Sequence, residues 1–158
     1  MILYDSNFLN EKEIEYILSF WSDTKFDKYR EQIIYFDGIE LLNKWDFKLI
    51  KNNLFANLDF NTIRLQRSNE TIDQLTNFHG HNDIHNYVIF LNDNFEGGEL
   101  EFEEGLLIKP KKGSVVYFCN NERHRVKNCV GDRFTLVLSG NHAISLDNFS
   151  VRKRNGLI

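Results

Sequence analysis

Residues 133–140 read RFTLVLSG, a short run of aromatic, β-branched and aliphatic residues that is typical of a β-strand. Similar runs come before it, separated by Gly, Asn and Asp: TIRLQRS (62–68), NYVIFLND (86–93), GELEFEE (98–104) and GSVVYFC (113–119). Many short strands at such close spacing indicate a sandwich, a barrel or a jelly roll. The sequence therefore predicts a β core over residues 61–140.

The segment before this core has a helical pattern. Asn10 is a candidate N-cap, acidic residues follow it in the first turn, and apolar residues recur at helical spacing from Ile14 onward. Apolar positions predict a second helix from about Ile39 to Asn57. We interpret residues 1–58 as helices that support one face of the sheet, which makes the fold mainly β, of the α+β kind. Residues 143–158 form a basic tail that we expect to be solvated.

Length and composition predict one domain that spans residues 1–158. The net charge of −4 weighs against binding to nucleic acid, for which a basic surface is typical. No run of residues has transmembrane length, and the N-terminus lacks the basic and apolar regions of a signal peptide. Cys119 and Cys129 show no metal-binding or disulfide spacing, so both are expected to be reduced. These features predict a cytoplasmic protein without a membrane partner, and they leave its oligomeric state open.

The first candidate metal ligands along the chain are His81 and Asp83. Residues two apart on an extended strand point the same way, so this pair can present an imidazole and a carboxylate together. His124 follows between two strand-like runs. Two His and one carboxylate on one side of a metal leave three positions open, which is the arrangement of non-haem Fe(II) oxygenases.

The motifs that follow make the signal more specific. After HND at 81–83 come FLNDNFEGGELEF at 90–102, IKPKKGSVVYF at 108–118, His124, and Arg133 nine residues later. In this order they resemble the 2-oxoglutarate- and Fe(II)-dependent dioxygenases, closest to the prolyl-4-hydroxylase-like branch, over roughly residues 63–138. The resemblance implies a double-stranded β-helix core (jelly-roll or cupin-like). It also implies a hydroxylation that uses O2 and 2-oxoglutarate and releases succinate and CO2, with ascorbate as a further cofactor.

Site residues carried over from the resemblance are His81, Asp83 and His124 as catalytic iron ligands, and Arg133 as the partner of the distal carboxylate of 2-oxoglutarate. A guanidinium suits this role because its fork of donors matches a carboxylate. Thr135 lies two residues further along the same strand and is expected to join Arg133.

The sequence departs from the family at two positions, because Phe90 and Ser68 stand where a Tyr is common. If Ser68 faces inward then Gln66 and Arg64 do too, since they alternate along TIRLQRS. Gln66 would then bind the metal-side carboxylate of 2-oxoglutarate.

The resemblance favours a peptidyl proline or another protein side chain as the substrate. The connection IHNYVI (84–89) is short and indicates an open mouth, which suits a peptide. Arg64, Tyr87 and Tyr117 are the expected first contacts of the substrate.

Other functions stay open at this point. The same chemistry could act on a free amino acid or on an alkylated nucleobase, although the dealkylases carry an Asn and a second Arg that RFTLVLS lacks. A cupin-type metalloprotein that does not use 2-oxoglutarate could bind metal through His79, His81 and His124. A binding module without catalysis is disfavoured by the complete set of motifs. Outside that cupin-type alternative, we assign no role in the site to His79, His85 or His142.

Overall fold

The computed structural model describes residues 2–21, 32–36, 60–72, 76–80, 85–119 and 122–140. These residues form one α-helix, α1 (Glu11–Leu18), and the strands β1 (Ile2–Asp5), β2 (Gln32–Phe36), β3 (Phe60–Ser68), β4 (His85–Phe90), β5 (Glu96–Gly97), β6 (Leu100–Phe102), β7 (Leu107–Ile108), β8 (Val115–Cys119), β9 (His124–Val126), β10 (Cys129–Val130) and β11 (Arg133–Gly140).

The strands form one large sheet and two small ones. The large sheet has the order β1-β8-β4-β11-β3-β2, and each of its pairs is antiparallel. A three-stranded sheet with the order β7-β6-β9 and a two-stranded pair of β10 with β5 complete the core. The mainly β double-stranded β-helix expected from the sequence is therefore confirmed.

Helix α1 begins where the sequence predicts it. Asn10 caps the helix: its side chain accepts a hydrogen bond from the backbone N–H of Glu13 at 2.9 Å, and the Glu13 carboxylate accepts one from the backbone N–H of Asn10 at 3.1 Å. Ile14 and Ile17 are buried beneath the large sheet. The second predicted helix, from Ile39 to Asn57, lies outside the described residues.

The large sheet is buried on both faces because its strands alternate between two apolar cores. One core lies between the sheet and α1 and contains Leu3, Ile14, Ile17, Ile63, Leu65, Tyr87, Ile89, Tyr117, Leu136 and Leu138, among others. The second lies between the large sheet and the β7-β6-β9 sheet and contains Val88, Phe90, Leu100, Phe102, Ile108, Val116, Phe118 and Val137, among others. Burying both faces of a sheet removes much apolar area from water and stabilises the fold.

The N-terminal third differs from the prediction of purely helical support. Strand β1 pairs with β8 at one end of the large sheet, and β2 pairs with β3 at the other. Both strands form long-range pairs that local sequence patterns do not specify. Within the described residues, no helix has the length and apolar content needed to cross a bilayer.

Candidate functional site

A cavity of about 160 Å³ lies in the interior between the two larger sheets. The large sheet contributes side chains from β3, β4, β8 and β11. The opposite wall consists of side chains from β6 and β9 of the three-stranded sheet, together with His79. The lining residues are Arg64, Gln66, His79, Asn86, Val88, Leu100, Phe118, His124, Val126, Arg133 and Val137. The alternation predicted for β3 is therefore confirmed, because Arg64 and Gln66 face this space whereas Ile63 and Leu65 pack in the core beneath α1.

The most deeply buried charge at the cavity is Arg133, the first residue of β11, which is 1% exposed. Its Nε donates a hydrogen bond to the carbonyl oxygen of Gly98 at 3.1 Å. The guanidinium carbon lies 5.4 Å from the centre of the Phe90 ring, within the range of a cation–π contact. A cation held this firmly away from water attracts an anion strongly, because screening is weak there.

Buried hydroxyl and amide groups stand beside Arg133. Ser68 is its antiparallel partner on β3, and the next inward pair along the same strands is Thr135 with Gln66. Among the described residues, Ser68 Oγ, Thr135 Oγ1 and Gln66 Oε1 are buried and have no hydrogen-bond partner. An unsatisfied buried polar atom costs roughly 1–3 kcal/mol, so a bound ligand is the natural partner for this group.

Gly98 keeps the space beside Arg133 open. Its φ is +70°, which disfavours any residue with a Cβ, and a Cβ built there would lie 2.8 Å from Arg133 Cδ. The sequence pattern Gly97-Gly98 predicts a tight turn, and both φ values agree. The contact with Arg133 is an additional role that sequence reasoning missed, because it depends on packing between β11 and the turn after β5.

On the facing side, the interior presents His124, which is 4% exposed. Its Nδ1 lies 2.9 Å from the carbonyl oxygen of Glu122. Because a carbonyl oxygen only accepts, Nδ1 is the donor in this contact, so in the neutral ring Nε2 is the nitrogen that would bind a metal. His124 therefore fits a metal ligand. The other two predicted ligands, His81 and Asp83, lie outside the described residues, so their roles stay predictions.

Tyr87 and Tyr117 are not at the cavity, which corrects their expected role as first contacts of the substrate. They are 0% and 1% exposed and pack in the core between the large sheet and α1. The Tyr117 hydroxyl lies 2.7 Å from His85 Nδ1, and burial raises the pKa of Tyr117 well above its ordinary value. The sequence did not reveal on which face of the sheet these rings lie, because a sheet that is buried on both faces carries aromatic residues on both.

The fold and the cavity together define a double-stranded β-helix protein in which a buried arginine and a histidine line one interior cavity. Residues 62–138 match the model of the 2OG-Fe(II) oxygenase superfamily. This segment, just under half of the chain, is therefore similar to that superfamily, and the match indicates a 2-oxoglutarate-dependent oxygenase. Its cofactors are Fe(II), 2-oxoglutarate and O2, and the buried Arg133 with its neighbouring hydroxyls fits the dicarboxylate.

Solved structures of prolyl hydroxylases share the fold. The viral collagen prolyl hydroxylase from Paramecium Bursaria Chlorella virus-1, in its 2OG complex, is 15% identical, with a TM-score of 0.62 and coverage of 87% of this chain and 93% of that one. A Pseudomonas putida prolyl-4-hydroxylase is 15% identical, with a TM-score of 0.60 and coverage of 90% and 93%.

A Trichoplax adhaerens prolyl hydroxylase, in complex with a hypoxia inducible factor oxygen degradation domain peptide fragment, is 16% identical, with a TM-score of 0.59 and coverage of 89% and 83%. No curated protein matches the chain. At these identities the structural matches concern the fold alone.

Proposed function

We propose that this oxygenase hydroxylates a peptidyl proline or another side chain of a protein substrate. In this proposal His81, Asp83 and His124 hold Fe(II), and Arg133 holds the distal carboxylate of 2-oxoglutarate. The observation that carries the co-substrate assignment is the buried Arg133 beside hydroxyl groups that have no partner among the described residues. When bound, Fe(II) and 2-oxoglutarate supply the oxidising power for inserting one oxygen atom of O2 into a C–H bond.

The chain's own residues would position and shield the reactants. Arg133 offers charge-assisted hydrogen bonds to a carboxylate, and the Thr135 and Ser68 hydroxyls can donate to the same group. Phe90 brings no hydroxyl where related sequences often have Tyr, but its ring lies against the guanidinium and holds it in place. The Nδ1–H of His124 donates to Glu122 and fixes the orientation of the imidazole ring.

Apolar residues would keep water away from the reaction. Val88, Leu100, Phe118 and Val137 line the cavity between its polar groups. Excluding water strengthens the attraction between Arg133 and an anion, and it protects reactive species from side reactions. The lining therefore suits a reaction that has to stay dry while the substrate enters from one side.

A peptide substrate is supported by three considerations. The connection between Asp83 and Phe90 is short, which favours an open mouth. The proteins of similar fold include a collagen prolyl hydroxylase and a prolyl hydroxylase that was solved with a peptide fragment. A proline-rich peptide also loses little entropy on binding, because its polyproline II conformation is already ordered.

A free amino acid is the second candidate, because Arg64 is a second cation in the cavity. Arg64 faces Val137 across the ladder, whereas Arg133 faces Ser68 at its end, so Arg64 lies four ladder positions away from Arg133, near the middle of the same strand pair. Arg64 Nε is buried and has no hydrogen-bond partner among the described residues. A guanidinium in this position suits the carboxylate of a small substrate.

A succinate-release screen tests the proposal. Wild-type protein with Fe(II) and 2-oxoglutarate, with and without ascorbate, is offered proline-containing peptides, free proline and other amino acids, and methylated oligonucleotides. We expect a peptide to stimulate succinate release and to gain the mass of one oxygen atom. Stimulation by a free amino acid that is lost in Arg64→Gln would support the second candidate. Stimulation by oligonucleotides alone would refute both.

Two arginine variants make the screen specific. Arg133→Ala should abolish succinate formation with every substrate, because 2-oxoglutarate loses its cationic partner. Arg125→Ala is the matched control, since Arg125 pairs with Glu101 through a 2.6 Å contact, away from the cavity lining. We expect the control to retain activity.

A further inference from the structure

A second group of polar residues faces the interior, further along β11 than Arg133. Arg64 and Asn86 line the cavity, and they belong to the two strands that flank β11. Asn86 stands directly opposite Ser139 of β11. Arg64 pairs with Val137 and is therefore the diagonal neighbour of Ser139 on β3. Diagonal neighbours lie about 7–8 Å apart, within reach of a long side chain. We call Arg64, Asn86 and Ser139 the far cluster.

Hydrogen bonding within the far cluster makes it a set of donors. Ser139 Oγ donates to Asn86 Oδ1 at 3.0 Å, and both residues are 1% exposed. Since the carboxamide oxygen is turned to Ser139, a ligand that contacts this carboxamide meets its Nδ2 end, which can only donate. The guanidinium of Arg64 also only donates, and its Nε is buried without a hydrogen-bond partner among the described residues. A ligand that contacts both side chains must therefore supply acceptor atoms.

The charge of the cavity lining indicates that this ligand is an anion. Arg64 and Arg133 both line the cavity, and none of the described residues of its lining is acidic. Arg64 is half-buried, so its charge is screened less than it would be in water. The planar fork of a guanidinium matches the two oxygens of a carboxylate. A carboxylate is therefore the group that best fits the far cluster.

The co-substrate is too short to supply this carboxylate while Arg133 holds it. Ser139 follows Arg133 by six residues on β11 (133 to 139), which is roughly 20 Å along an extended strand. A five-carbon dicarboxylate is about as long as two extended residues, roughly 7 Å. 2-Oxoglutarate on Arg133 therefore does not reach the Asn86 carboxamide beside Ser139. The far cluster needs a second ligand, and the substrate is the molecule that has to share the cavity with the co-substrate.

We propose that Arg64 and Asn86 bind a carboxylate of the substrate, and that Ser139 positions Asn86. The carboxylate belongs either to a free amino acid or to an acidic side chain of a peptide, and it lies close to the carbon that is hydroxylated. This inference rests on the proposed function and narrows its substrate class, because it favours an acidic group over a neutral proline residue. It leaves the proposed iron ligands unchanged.

Substrate binding without turnover tests the inference. Protein that is loaded with Mn(II) and 2-oxoglutarate is titrated calorimetrically with pairs of probes in which an amide replaces one carboxylate. L-amino acids are compared with their amides, and end-blocked peptides with a central Asp or Glu are compared with the same peptides carrying Asn or Gln. The first comparison tests an α-carboxylate, and the second tests a side-chain carboxylate.

Three variants make the titration specific. Arg64→Gln removes the cation, and Asn86→Asp keeps the size of the side chain but adds a negative charge. Arg67→Gln is the matched control, because Arg67 lies on the same strand but contacts Asp132 and the Trp21 ring outside the cavity lining. Circular dichroism checks folding, and Asn86→Asp keeps the inference testable if Arg64→Gln does not fold.

We expect wild type to bind the acid of at least one pair about 10–100-fold more tightly than the amide, as is typical of hydrogen bonds to a charged group. This preference should disappear in Arg64→Gln and in Asn86→Asp, whereas Arg67→Gln should match wild type. The type of pair that shows the preference identifies the source of the carboxylate.

Three results would overturn the inference and leave the proposed function standing. The first is that wild type distinguishes acid from amide in no pair, and the second is that the preference persists in both cavity variants. The third is a loss of 2-oxoglutarate affinity in Arg64→Gln as large as the loss for the acid probes, because Arg64 would then belong to the co-substrate site. Failure of wild type to bind 2-oxoglutarate in the presence of Mn(II) would overturn both the inference and the proposed function.

Discussion

Replacing Gly98 with Ala should damage the co-substrate site from a position that touches no ligand. The new Cβ would lie 2.8 Å from Arg133 Cδ and 2.9 Å from Phe95 Cε2, and both distances are shorter than Cβ atoms tolerate. Arg133 is 1% exposed, so its buried stem has little room to move aside. The guanidinium should therefore shift away from the position in which Nε donates to the Gly98 carbonyl.

The expected size follows from two separate costs. A residue with a Cβ at positive φ costs roughly 1–2 kcal/mol of folding stability. A misplaced guanidinium forfeits hydrogen bonds to a charged group, which contribute about 1.5–3 kcal/mol. Since about 1.4 kcal/mol corresponds to a tenfold change in Kd, 2-oxoglutarate affinity should fall by about 10–100-fold.

Gly105→Ala provides the matched control. Gly105 has φ +98°, so the substitution carries a similar backbone cost, but nothing lies within 4 Å of the Cβ it would add. Calorimetric titration of 2-oxoglutarate into the Mn(II)-loaded proteins measures the affinity, and urea denaturation measures the stability. Equal 2-oxoglutarate affinity in the two variants would refute the prediction, because the contact between residue 98 and Arg133 would then have no effect on co-substrate binding.

Three further predictions concern single residues. Thr135→Val replaces a fully buried hydroxyl that lacks a partner among the described residues, so the free energy of unfolding without ligand should rise by about 1 kcal/mol while 2-oxoglutarate binds more weakly. A drop in stability in urea would contradict this. Asn10→Ala removes the cap of α1 and should lower the free energy of unfolding by about 1 kcal/mol with no change in 2-oxoglutarate affinity. The Glu70 carboxylate accepts a hydrogen bond from the Gly131 N–H at 2.8 Å, which lowers its pKa below 4.5. Its stabilising effect is therefore present above that pH and is lost as the pH falls through the lowered pKa. The stability difference between wild type and Glu70→Gln should shrink in acid, and a difference that stays constant with pH would count against it.

The parts of the fold and site that depend on alternation along one strand could be predicted from the sequence. Inward and outward positions follow a period of two, so the inward set of Arg64, Gln66 and Ser68 follows once one member is placed. The same rule separates Arg133 and Thr135 from Phe134, Leu136 and Leu138, which alternate with them along the strand. These predictions needed no knowledge of which strands are neighbours.

Features that depend on which strands are neighbours could not be predicted in this way. His79 forms an isolated antiparallel bridge with His124 of β9, which is far from it in sequence, and no local pattern predicts this pairing. The contact between Gly98 and Arg133 likewise requires the turn after β5 to fold over the start of β11. The face of Tyr87 was ambiguous because both sides of its strand are apolar, so hydrophobicity did not distinguish the two cores.

Strand β11 should not tolerate insertions or deletions of single residues. Its odd-numbered residues from Arg133 to Ser139 face the interior, and the even-numbered Leu136 and Leu138 face the core beneath α1. Inserting or deleting one codon within it would exchange the two sets, because the side-chain period is two. The guanidinium would then enter an apolar core while leucines filled the site, so folding and activity would fail together. Length variation among descendants of this chain should therefore be confined to turns such as that at Gly105, where an added Cβ meets nothing.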